Sequence, residues 1–184
     1  MKSAPARLFL GHGTRQPLGR RGSDAALRDW LTHADSLTAR IRARSTRFSL
    51  RVVYQGHDRL LPVERRCLPG ARFCHAREVL LLADGVPVVW ARTVLPEASL
   101  RGAWRFLGRL GTRPLGERLF SDPRIRRSRF GFVPVLRIGP QSRAALAAGA
   151  DALAARCALL VRKGQAALLT EALLPAIRSL QRRR

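Results

Sequence analysis

Residues 77–96 read REVLLLADGVPVVWARTVLP, and this stretch decides the fold. Two apolar runs flank Asp84-Gly85, a dipeptide favoured in two-residue hairpin turns because both central positions need positive φ. A second stretch, residues 156–175, reads RCALLVRKGQAALLTEALLP and turns in the same way at Lys163-Gly164. Setting Arg77 against Arg156 aligns Leu80 with Leu159, Leu81 with Leu160, Gly85 with Gly164, Leu95 with Leu174 and Pro96 with Pro175. Either an internal duplication or two hairpins meeting the same geometric demands accounts for this.

Working outward, Ser23 and Asp24 are placed to cap a helix from Ala25 to His33, and Asp35-Ser36 starts a second from Leu37 to Ala43. From Arg47 to Tyr54 the period becomes two, as in a half-buried strand, with Gly56 as its end. Residues 57–75 carry Pro62, Pro69 and Gly70 and read as loop. Helices are expected over Glu97–Leu110, stopped by Gly111, and over Leu115–Phe120. Residues 126–138 read as a strand interrupted at Pro134, and the Ala-rich residues 142–155 as helix or loop. The expected C-terminus stops at Pro175 and frays. Strands separated by helices define an α+β domain over residues 26–184, preceded by a flexible basic N-terminal arm at 1–25.

The chain has 184 residues and a formal net charge of +23, which taken alone points to nucleic acid. Only Lys2 and Lys163 are lysine, and the arginines run along the whole chain rather than in one stripe interleaved with aromatics. Solvated arginines on a protein that binds no nucleic acid is therefore the preferred reading. No apolar run approaches the roughly 18 residues of a membrane span, and no stretch has the apolar core of a signal peptide, so a cytoplasmic protein is expected; a monomer is expected as well. Cys67, Cys74 and Cys157 form no CxxC pair, and His12, His33, His57 and His75 have no metal spacing; they read as surface histidines. Neither a phosphate-binding glycine loop nor a GxSxG elbow is present. No metal and no cofactor is expected.

Register supplies candidate chemistry. With residue 83 paired to 86, Arg77 falls opposite Arg92, and two facing guanidinium groups would be relieved by a bound carboxylate. The alternative is that both side chains splay into water. In the second hairpin Glu171 falls opposite Arg156, as an ion-pair partner, a group facing a ligand, or both.

These residues also carry a resemblance. REVLLLADGVPVVWARTVLP, DWLTHADSLTAR, LGRLGTRPLGERLF and ALLTEALLP stand in the order in which similar segments stand in chorismate pyruvate-lyases, and together they span residues 29–175. The resemblance implies a single antiparallel sheet with helices, two of them flaps over a buried pocket, the segments DSLTAR and PLGERLF supplying parts of those flaps. It implies cleavage of chorismate to 4-hydroxybenzoate and pyruvate, at the head of ubiquinone biosynthesis. It places Arg77 on the carboxylate of substrate and product, Leu115 against the ring, Glu171 facing the ring hydroxyl and Leu37 in the pocket wall. Arg77 and Glu171 are then the catalytic candidates, with Arg92 assisting a carboxylate. Where the family often has W-x-R-R-S before its last hairpin, this chain reads ALAARCALL. A sensing domain of the same fold, without chemistry, is the alternative from another class, and a basic nucleic-acid-binding protein a third.

Overall fold

In the computed structural model of the protein, residues 25–133 and 152–181 are described. The expected arm and most of the Ala-rich stretch lie outside them, as does the end of the strand at Pro134. Helices α1 (Ala25–Thr32) and α2 (Leu37–Arg42) precede strand β1 (Phe48–Arg59) and the short helix α3 (Pro62–Cys67). Then come β2 (Phe73–Ala83), β3 (Val86–Leu95), α4 (Glu97–Arg101), a 3₁₀ turn (Arg105–Arg109) and α5 (Leu115–Ser121). Strands β4 (Ile125–Arg127), β5 (Gly131–Val133), β6 (Ala154–Arg162) and β7 (Gln165–Leu173) complete the sheet, and a 3₁₀ segment (Pro175–Gln181) follows. All pairings are antiparallel, in one sheet of seven strands ordered β1-β2-β3-β7-β6-β4, with β5 also on β6.

Both hairpins turn where expected. Asp84 and Gly85 have φ of 52° and 83°, and Lys163 and Gly164 have 48° and 75°, the paired positive values of a tight two-residue turn. The two hairpins lie side by side through β3 and β7. Their registers differ in one respect. Ala83 pairs with Val86 and Leu82 with Pro87, but Leu81 pairs with Val89, so Val88 is an extra residue in β3. Pro87 cannot donate to the ladder, and a bulge at its neighbour is the usual accommodation. Beyond the bulge Arg77 therefore faces Thr93, and Arg92 faces Glu78. The expected Arg77–Arg92 pairing is incorrect by one residue, which sends the two arginines to opposite faces.

Several boundaries differ from expectation. Strand β1 continues through Gly56 to Arg59, and β2 begins at Phe73, with α3 between them. His57 and His75 thus lie in strands, His57 bonded to Glu97 and His75 buried. The helix after Pro96 breaks at Gly102, where the Gln165 side chain packs 2.6 Å from the position a Cβ would occupy and accepts from Ala103 N at 2.7 Å. Pro175 starts a segment that buries Ile177 and Leu180 instead of ending the order.

One face of the sheet carries the larger core, where Trp30, Leu31, Ile41, Trp104, Leu107 and Ile177 pack on Val79, Val89, Leu160 and Leu173. The other carries Leu60, Leu68, Leu80, Trp90, Val94 and Leu168. Two layers of packing on one sheet are what a chain of this length needs to bury its apolar surface. Ser36 caps α2, its hydroxyl accepting from Ala39 N at 3.2 Å. After α5, Asp122 accepts from Arg124 Nε at 2.9 Å and Arg162 Nε at 3.0 Å, and these contacts, Arg124 foremost, hold its carboxyl well below the usual range. A lowered carboxylate stabilises the fold above its unfolded pKa of about 4 and loses that contribution as pH falls below it. Asp122→Asn should therefore melt earlier than the parent at pH 7, the gap closing in acid, as thermal scans across pH would record.

Candidate active site

Alternation along the strands puts one set of side chains on the α1/α2 face of the sheet. Arg77 lies opposite Thr93, Thr93 opposite Leu169, Ala91 opposite Glu171, and Glu171 opposite Arg156. With strands about 4.8 Å apart and a two-residue offset along them, β2 and β7 place Arg77 and Glu171 roughly 12 Å from each other across the sheet. Val79, Leu81, Ala91 and Leu169 form the apolar floor around them. Helices α2 and α5 cover this floor, contributing Leu37 and Leu115, and the result is a pocket of about 230 Å³. The covering helices touch at Gly116, where an added Cβ would lie 3.3 Å from both Ser36 Oγ and Thr38 Oγ1. That is too close for easy accommodation, so Gly116→Ala should wedge the two helices apart and loosen ligand binding several-fold, measurable by titration.

Arg77 is 3% exposed. One terminal nitrogen donates to the carbonyls of Gly111 at 2.7 Å and Arg113 at 3.2 Å, which orients the guanidinium. Its Nε is buried and has no partner among the described residues. Burial pushes its pKa down to about 10, far enough above neutrality that it stays a cation. A buried cation with an idle donor, lining a pocket, is suited to a planar carboxylate.

At the far end Glu171 Oε2 accepts from Arg156 Nε at 2.7 Å. Arg156 is 1% exposed, and its NH1 donates to the carbonyls of Trp30, Leu31 and His33 at 3.4, 3.0 and 2.7 Å. These are the free carbonyls at the end of α1, which a cation suits. The Arg156 guanidinium also sits 3.9 Å from the Phe130 ring centre. One arginine thus fixes the glutamate and the end of α1 together.

Arg77, Glu171, Leu115 and Leu37 line one pocket; Arg92 is not among them. It lies on the opposite face, 3% exposed, with Nε 2.8 Å from Glu64 Oε1 and NH1 2.9 Å from Asp58 Oδ2 and 2.5 Å from Glu78 Oε1. Three carboxylates engage it, so it has a structural role and no access to the pocket. Thr93 takes the place opposite Arg77 that register counting assigned to Arg92. Arg127 and Phe130 of the pocket wall were missed altogether. They lie on and beside the three-residue strand β4, too short for periodicity to orient. Among the described residues no group of three or more His, Cys, Asp or Glu is arranged to hold a metal, and the cysteines are free.

A family model described as chorismate lyase matches residues 21–183. The chain belongs to the chorismate lyase family. Similar chorismate lyases include a probable chorismate pyruvate-lyase of Azoarcus sp. (strain BH72), 46% identical over 85% of this chain and 88% of that one. Another, from Aromatoleum aromaticum, is 44% identical over 83% of this chain and 86% of its own length. Among solved structures, PhnF from Mycobacterium smegmatis is 18% identical with a TM-score of 0.50, over 77% of this chain and 64% of that one. That likeness is one of fold. Among the described residues no helix is long and apolar enough to cross a membrane.

Proposed function

We propose that the protein cleaves chorismate to 4-hydroxybenzoate and pyruvate at this pocket. The observation that carries the reading is one apolar slot with an idle buried guanidinium at one end and an oriented carboxylate at the other. A 4-hydroxybenzoate, with its carboxylate and para hydroxyl at opposite ends of a flat ring, matches that polarity. The protein acts as a cytoplasmic monomer, binds no nucleic acid and needs no cofactor, and its product enters ubiquinone synthesis.

Chorismate is a dianion whose cleavage breaks the bond between ring carbon and enolpyruvyl oxygen. The ring loses the proton on the adjacent carbon and becomes aromatic, and the departing enolpyruvate gains a proton to become pyruvate. Aromatisation supplies much of the driving force, so the protein has mainly to hold a reactive conformer and exclude water. Arg77 grips the ring carboxylate. Leu37 and Leu115 close over the ring. Glu171, with Oε2 held by Arg156, offers Oε1 to the ring hydroxyl.

Two fates of the ring proton fit this arrangement: removal by Glu171, or transfer within the substrate to the leaving enolpyruvyl group. Since Gln keeps an acceptor oxygen in place, Glu171→Gln should keep kcat within about tenfold if the role is anchoring. A loss of about 10²-fold or more makes Glu171 the base. The direct test is to incubate the protein with chorismate and follow 4-hydroxybenzoate and pyruvate together. Equimolar release supports the lyase, and the rate should survive dialysis against a chelator. Thermal stabilisation by 4-hydroxybenzoate without release of product would instead mark a binding domain.

A further inference from the structure

The contacts assigned so far leave one charge of chorismate without a partner. The ring carboxylate has Arg77, but the enolpyruvyl carboxylate is carried on the ring carbon next to the hydroxyl-bearing one. If Glu171 holds the hydroxyl, the second carboxylate lies at the Glu171 end of the pocket, the end that β6 and β4 border. We propose that Arg127, in β4, is the binding group for this second carboxylate, so that the pocket recognises a ring acid bearing a carboxylate on an adjacent ether arm.

Several features of the site support it. Arg127 faces Leu160 of β6 in the register, which puts it on the same face of the sheet as Arg156 and the pocket floor. It lines the pocket with Arg156 and Glu171, from the edge opposite Arg77. Its guanidinium is held in place by contacts that do not themselves neutralise it. NH2 donates to the Ala34 carbonyl at 2.7 Å, and the group stacks 4.2 Å from the centre of the Phe130 ring, whose contact with Arg156 completes a stack of two cations on one aromatic. Asp35 and Glu171 lie close enough for their charges to act on it, but among the described residues no carboxylate reaches ion-pair distance of Arg127. Partial burial, and after it the neighbouring Arg156, lowers its pKa, the direction expected of a cation that lacks an opposite charge beside it. Unlike Arg77, Arg127 is exposed at the rim, where the arm of a substrate would enter and its cleaved product would leave.

The inference rests on the lyase reading for its choice of ligand, and the experiment separates the two. Arg127→Ala and Arg127→Lys are compared with the parent in calorimetric titrations of two stable ligands. One is 4-hydroxybenzoate, with a single carboxylate. The other is 3-(carboxymethoxy)-4-hydroxybenzoate, which adds a carboxylate on an ether arm beside the hydroxyl. The expected result is that Arg127→Ala weakens the diacid about tenfold or more and 4-hydroxybenzoate less than about twofold, with Lys recovering part of the loss. The kcat/KM for chorismate should fall in step with the diacid. Equal weakening of both ligands would reduce Arg127 to a tie on the Ala34 carbonyl and overturn the proposal, as would unchanged diacid affinity or a parent protein that does not bind the diacid. A parent that binds the diacid through Arg127 but releases no 4-hydroxybenzoate from chorismate would overturn the lyase reading and leave this one standing.

Discussion

Arg77→Ala is expected to abolish recognition of 4-hydroxybenzoate and lower kcat/KM for chorismate by about 10²–10⁴-fold, with little effect on the melting temperature. The size follows from two charge-assisted hydrogen bonds to a carboxylate, each about 1.5–3 kcal/mol. Lysine should recover little, because a point charge cannot reproduce the fork that the Gly111 and Arg113 carbonyls hold in position. The small effect on stability has a separate origin. Burial lowers the Arg77 pKa to about 10, so the folded state disfavours its charged form. That penalty applies in full below pH 10 and fades only as pH rises from there toward the unfolded value. Removing the side chain relieves a cost on the order of 3 kcal/mol but leaves two carbonyls without a donor, at about 1–3 kcal/mol each. The terms offset, and the melting temperature should move by less than about 4 °C. Ligand titration and thermal melting of the same preparation test both halves.

Arg92→Ala should do the reverse. The side chain is 3% exposed and bonded to Asp58, Glu64 and Glu78, and its removal leaves carboxylates buried without their cation. Breaking such a buried array costs about 3–5 kcal/mol, or about 6–20 °C in melting temperature for a chain of this size. The fraction that remains folded should bind 4-hydroxybenzoate with parental affinity. Lost binding at an unchanged melting temperature would return Arg92 to the pocket and contradict its placement on the far face.

The contrast between these two arginines shows how far residue patterns carry. Asp84-Gly85 and Lys163-Gly164 announce their turns because few residues accept two successive positive φ values, and the second hairpin, free of bulges, yields the Glu171–Arg156 pair by counting alone. The same count fails in the first hairpin. Its signal was present in Pro87, a residue that rarely sits in a regular central strand, and reading it would have moved Arg77 from Arg92 to Thr93. The resemblance supplied Leu37 and Leu115 through the segments that contain them; periodicity would not have placed helices as short as α2 and α5 over a pocket. Arg156 shows a different limit. That it faces Glu171 is a matter of register, but its bonds to the carbonyls ending α1 join residues over a hundred positions apart, and no local pattern encodes them.

The extra residue at Val88 has a consequence for how the molecule tolerates change. By placing Arg77 above the sheet and the Arg92 cluster below it, the bulge leaves the two sets of charges with no shared partner among the described residues and a layer of backbone and apolar side chains between them. Groups so separated combine additively, so losses in Arg77 and Arg92 variants should sum in the double variant to within about 0.5 kcal/mol. Substitutions that reshape the ligand slot would then draw on a reserve of robustness held elsewhere, and the sheet would act as an insulator between what the protein recognises and what keeps it folded.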